Sequence, residues 1–198
     1  MSKKERTFRK ILDAALIEFG TKGYDLASTN HIYQLAGVSK GTVFLYFKSK
    51  AELFYAVYSE NIQKVLDEMS SGKFELIEDI FERMLTVTMW KAKYFATRPH
   101  ETKVLLEAVT DPPNIIKEKM INHLEQLTKL SMNHFFHEID MSKFSSNYTK
   151  DEVIRFIQVA LVGVQNTYLK PGMTLESLEL IRDESMKFIK TVIIGMEK

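Results

Sequence analysis

No cysteine occurs anywhere in the 198 residues. That excludes a disulfide scaffold, thiolate metal sites and a cysteine nucleophile, and it fits a reducing cytoplasm. Long apolar runs are missing too: the longest apolar-rich stretch free of charge, residues 156–169, falls short of the roughly 18 residues a membrane helix needs. The basic start of the chain is not followed by a clean apolar segment, because Asp13 and Glu18 interrupt it, so no signal peptide is expected. There is no G-x-S-x-G, no phosphate-cradling glycine loop and no paired-carboxylate pattern, which removes the usual enzyme signatures. Apolar–polar alternation at period two is absent, so the expected fold is all-α.

What is present is uneven. The net charge of +1 hides a basic first quarter: residues 1–50 carry seven Lys and two Arg against two Asp and two Glu, while the rest of the chain is net acidic. Such a division suggests that one end meets a polyanion. Within that quarter, residues 26–50 read as two short helices around a tight turn. Ser28 and Thr29 can cap the first helix, Ile32, Leu35 and Ala36 give it an apolar face, and Gly37 stops it. Ser39 restarts the chain, and Val43, Phe44 and Phe47 mark the expected buried side of the second helix. This is the layout of a helix-turn-helix, although a plain surface hairpin has the same pattern. In the motif the second helix enters the major groove, with Ser39, Lys40, Gly41 and Thr42 first, while Tyr46, Lys48 and Lys50 approach the sugar-phosphate backbone.

The segments ILDAALIEFGTKGYD and STNHIYQLAGVSKGTVFLYFKSKAEL, within about residues 6–55, resemble the TetR family of bacterial transcriptional regulators in order and spacing. The resemblance implies that Thr29, Asn30, Ser39, Lys40, Gly41, Thr42, Tyr46 and Lys50 stand where family members touch DNA. It also implies a ligand-responsive cytoplasmic regulator, by default a repressor. Such a protein binds a palindromic double-stranded operator as a homodimer and is released by an apolar or amphipathic small molecule, with no cofactor or metal. Two departures stand out. Phe44 and Leu45 replace aromatics that usually carry a polar handle, which takes away one or two phosphate contacts, and His31 and Tyr33 replace an acidic or small polar residue and an Ala.

The remaining chain reads as helices over residues 5–19, 51–69, 74–97, 99–109, 114–139, 153–169 and 175–196, with a polar loop at 140–149. The expected division is a helix-turn-helix domain over 1–50 and a larger helical bundle over 51–198 for effector binding and dimerisation. Residues 153–164 are apolar nearly all round, which suits either a central helix or a two-fold interface. By the resemblance, Val159, Ala160, Gly163, Ile189 and Val192 form that interface. Phe81, Met84, Trp90, Met120 and Phe135 are large and adaptable, either core or an effector pocket, and the resemblance favours a pocket with Asn166 as a polar anchor. Two other readings stand beside this one: a regulator answering to a protein partner, and a metal-dependent bundle built on His123, His134, His137 and Glu138. The second lacks the acid and histidine that carboxylate metal bundles place on a second helix.

Overall fold

A computed structural model describes residues 2–136, 139–168 and 175–196, apart from the side chains at 75, 128, 131–136, 165–168, 175–181 and 192–194. Among the described residues there are nine α-helices and no β-strand, so the all-α expectation holds. They are α1 (Lys3–Leu26), α2 (Thr29–Ala36), α3 (Lys40–Tyr46), α4 (Lys50–Ser71), α5 (Ile80–Ala96), α6 (Pro99–Thr110), α7 (Lys117–Phe136), α8 (Lys150–Tyr168) and α9 (Leu175–Ile193). The helices pack as two units, residues 1–68 with 98–127 and residues 69–97 with 128–198. The packing thus divides the chain differently from the expected boundary at residue 50.

In the first unit, Ile11, Leu12, Ala15 and Phe19 form one buried stripe of α1. The helix runs past Gly20, but at Gly23 it is broken, as the sequence suggests: Gly23 takes φ 77°, a conformation open to glycine, and the chain kinks there within the span of α1. The Tyr24 N–H freed by this kink donates to Glu107 Oε1 at 2.8 Å. Gly20 serves another need: a Cβ there would lie 2.5 Å from the His100 Cβ, so its absence lets α1 press against α6. Phe19 and Phe54 meet edge to face at 5.1 Å, with Tyr24 5.3 Å from Phe54. Such ring pairs add about 0.5–1.5 kcal/mol beyond their burial.

In the second unit, the helix expected from residue 74 begins only at Ile80. Lys73 adopts φ 50°, and Asp79 caps the new start by accepting from the N–H groups of Phe81 and Glu82 at 2.8 and 2.9 Å. From there α5 buries Ile80, Phe81, Leu85, Val87, Thr88 and Tyr94 and packs on α8 and α9. On α8, Val153, Ile157, Ala160, Leu161 and Val164 are buried, while Phe156, Val159 and Val162 are exposed. The all-round apolar helix therefore spends one side on its own unit and leaves the other open. The expected loop at 140–149 is tied down: Asp140 caps a short 3-10 turn, and Phe144 is buried against Phe81 at 6.1 Å.

Candidate nucleic-acid interface

Gly37 takes the left-handed conformation, φ 65°, that ends α2. Its N–H donates to the Gln34 carbonyl and the Val38 N–H to the Tyr33 carbonyl, both at 3.1 Å, the double closure of a Schellman cap. Two residues later Ser39 caps α3, its Oγ accepting from the Thr42 N–H at 3.1 Å. The two hydroxyls of Ser39 and Thr42 are themselves 2.8 Å apart. Val43 and Phe47 hold the inner side of α3, with the Phe47 ring stacked on Phe8 at 5.5 Å.

The start of α2 is not capped as the sequence suggests. Ser28 occupies the cap position, yet its side chain makes no capping bond. Glu18 takes over from α1: buried, it accepts from the Ser28 N–H at 2.9 Å, from Lys22 at 2.9 Å and from His31 Nδ1 at 2.5 Å. Burial would push this carboxyl up, but the hydrogen bonds from Ser28, His31 and Lys22 outweigh it and hold the pKa at about 2. A carboxylate thus faces the positive end of α2 from outside the helix. The signal for it lay in the sequence, since Glu18 stands on the stripe of Ile11, Ala14 and Ala15 at apolar spacing.

Of the residues expected at DNA, Asn30, Ser39, Lys40 and Gly41 are exposed and Thr29 and Thr42 half-exposed, all on α2, α3 or the turn between them. Tyr46 and Lys50 are half-buried and already engaged. The Tyr46 hydroxyl donates to the Lys4 carbonyl at 3.1 Å, and Lys50 Nζ donates to the Asp25 carbonyl at 3.0 Å, 4.6 Å from the Tyr24 ring centre. Two expectations are corrected. Leu35 and Phe44, read as inward, are exposed: α2 is held by Ile32 and Ala36 alone, and α3, held by Val43 and Phe47, has no room for Phe44 on the same side. Leu45, singled out by the resemblance only as a departure from a polar aromatic, is 86% exposed. At the start of α1, Lys4, Glu5, Phe8, Arg9 and Tyr46 line an open cavity of about 480 Å³. Arg9 is ion-paired with Glu60 of α4.

The other expected sites scatter. Phe81, Met84 and Trp90 lie on α5 of the second unit, whereas Met120 is buried in the first. Phe81 and Trp90 are nine residues apart and so point to opposite faces of α5, one to Phe144 and the other to Phe74 at 5.8 Å. Ala160 and Ile189 belong to the core of the second unit, and Gly163 faces Phe188, where an added Cβ would lie 3.2 Å from Cε1. Val159 is 63% exposed. The side chains of Phe135, Asn166 and Val192 lie outside the described residues, as do those of His134, His137 and Glu138. Among the described residues no group of three His, Asp or Glu could hold a metal ion. None of their helices is long and apolar enough to cross a membrane.

Residues 11–57 match the model of a family described as bacterial regulatory proteins, tetR family. The chain is 30% identical over 83 residues to the fatty acid metabolism regulator protein of Bacillus subtilis, covering 42% of this chain and 39% of that protein. It is 23% identical over 176 residues to the HTH-type transcriptional repressor AcnR of Corynebacterium diphtheriae, covering 88% and 87%. The matched segments span about two fifths of the length of the first two curated relatives. Among solved structures, a TetR-like transcriptional regulator from Rhodococcus sp. RHA1 superposes with TM-score 0.69 at 15% identity, covering 98% of this chain and 99% of that one. The regulator FadR from Bacillus subtilis, in complex with stearoyl-CoA, gives 0.66 at 17% identity, with 92% and 97% covered. At these identities the superpositions establish the fold. The proteins named are regulators, not enzymes.

Proposed function

The chain belongs to the TetR family of bacterial regulatory proteins, and on that premise we propose that it is a cytoplasmic transcriptional regulator that binds duplex DNA through residues 1–50. The observation carrying this reading is the capped α2–turn–α3 unit, which presents Lys40, Gly41 and Lys48 to solvent within the most basic quarter of the chain. It acts as a homodimer on a palindromic operator, by default as a repressor. The exposed Phe156, Val159 and Val162 of α8 supply an apolar face for the partner copy. Two heads then read half-sites about 34–36 Å apart.

Release is by an apolar or amphipathic small molecule bound in the helical region after residue 50. Because FadR is seen with stearoyl-CoA, long-chain acyl-CoA is the first effector class to test. Lys91 on α5, half-buried and with its pKa lowered by burial, offers a cation for such an anionic molecule. Control by a protein partner is the competing reading, supported by the scatter of the expected pocket residues over two units.

Selection of duplexes from a random library, followed by binding at rising salt, tests the core claim. Affinity should fall steeply as bound phosphates release counterions. A flat response would refute it. Stearoyl-CoA should then lower operator affinity, and an effect seen with no small molecule would favour the partner reading.

A further inference from the structure

Resting on that DNA-binding reading, we propose that Phe44 and Leu45 form an apolar reading surface whose ligand is the 5-methyl edge of thymine in the major groove. On α3 the inner positions Val43 and Phe47 are buried, which turns Gly41, Phe44 and Leu45 outward at the i, i+3, i+4 spacing of one helix face. Leu45 is more exposed than any other large apolar residue among those described, and Phe44 is 44% exposed. The groups on this helix that could read bases by hydrogen bonds are largely committed elsewhere. The Ser39 and Thr42 hydroxyls face each other, and the Tyr46 hydroxyl is bonded to the Lys4 carbonyl. Lys40 holds its ammonium 5.8 Å from the centre of the Phe44 ring.

Lys40 keeps its N–H donors for phosphate or bases, but the remainder of this outward face is apolar and calls for an apolar partner in the groove. The thymine methyl is the apolar group that the major-groove edges of the four base pairs display, and side chains such as Ala, Phe and the Thr methyl are known to pack on it. Gly41 lets the helix come close, since a Cβ added there would meet only Ser39 Oγ, at 3.9 Å. The surroundings favour DNA over a second copy of the chain as the occupant. Lys40 and Lys48 flank the patch in sequence, both exposed, within a segment of strong positive excess. At the steps that Phe44 and Leu45 cover, operator sequence is therefore set by A·T pairs of defined orientation.

The test uses the full chain and an operator selected from random duplex DNA. Each thymine is replaced in turn by deoxyuridine, which removes one methyl group and nothing else. Affinity should drop about fourfold for each methyl that Phe44 or Leu45 covers, the value expected for burying one such group. Leu45→Ala should weaken the natural operator similarly and abolish the penalty at the step it faces, so that the two changes together cost no more than either alone. Leu45→Ala should leave the melting temperature unchanged, because the side chain has little to lose on unfolding. Full affinity for every deoxyuridine operator, with sequence selectivity intact, would overturn the proposal. Failure to select any sequence would overturn both it and the DNA-binding reading beneath it.

Discussion

Glu18 and His31 meet at 2.5 Å across thirteen residues of chain, and through that contact the first helix holds the start of the second. Glu18→Ala should cost about 1–3 kcal/mol in denaturant unfolding, because the Ser28 N–H loses a charged acceptor in a buried setting. The carboxyl sits near 2 in the folded chain against an ordinary 4.5, so the folded state prefers the ionised form. Its stabilising contribution is complete above 4.5 and is lost as pH falls from there toward 2. Glu18→Gln should flatten that part of the acid-unfolding profile. An unchanged profile would show that the carboxylate is not held as described.

Two glycines should respond oppositely to alanine. Gly20→Ala places a Cβ 2.5 Å from His100 and should cost about 1–3 kcal/mol by overpacking α1 on α6. Gly41→Ala meets only Ser39 Oγ, at an ordinary 3.9 Å, and should stabilise α3 by up to about 1 kcal/mol through helix propensity. DNA affinity should nonetheless fall in Gly41→Ala, since the new methyl stands on the face offered to the groove. Melting temperature and operator binding, measured side by side, separate the two.

Tyr58 is fully buried on α4, edge to face with His123 at 5.5 Å, and its hydroxyl has no hydrogen-bond partner among the described residues. Tyr58→Phe should therefore be neutral or stabilising by up to about 1 kcal/mol, while Tyr58→Ala should lose about 3–5 kcal/mol to the cavity. Burial raises the phenol to about 12, so the unfolded chain ionises first and wild-type stability declines as pH climbs above 10. Tyr58→Phe should be spared that decline. A destabilised Phe variant would mean that the hydroxyl is paired.

Val159→Glu tests the open face of α8. The side chain is largely exposed in the single chain, so folding should survive, and circular dichroism should match the wild type. Sedimentation should then show monomers, with operator affinity lost. A wild-type monomer at micromolar concentration would rule out the proposed dimer.

The turn of the reading head was legible because its residues act locally: Gly37 ends a helix and Ser39 begins one whatever surrounds them. The helix order was legible for the same reason. Orientation was harder. Over seven residues α3 has too few apolar positions to fix its phase, and Phe44 was read inward when the packing of Phe47 on Phe8 turns it out. The break before α5 was written in the sequence as Asp79 followed three residues later by Glu82, but the apolar run masked it. Glu18 escaped because its partners are set by the fold, not by spacing alone. Pocket residues were the least legible, since large apolar side chains look alike in core and cavity.

The pressing of α1 against α6 bears on how the protein is made and reused. Gly20 against His100, Tyr24 bonded to Glu107, and Lys103 bonded to the Thr21 carbonyl tie the reading head to a helix some eighty residues downstream. A nascent chain leaving the ribosome cannot complete this head until α6 has emerged, so its first helices wait on a late, long-range closure. The same dependence governs transplantation. A cassette cut after α4 would carry every residue proposed to meet DNA yet leave the back of α1 bare, whereas one extended through residue 127 would bring its own buttress.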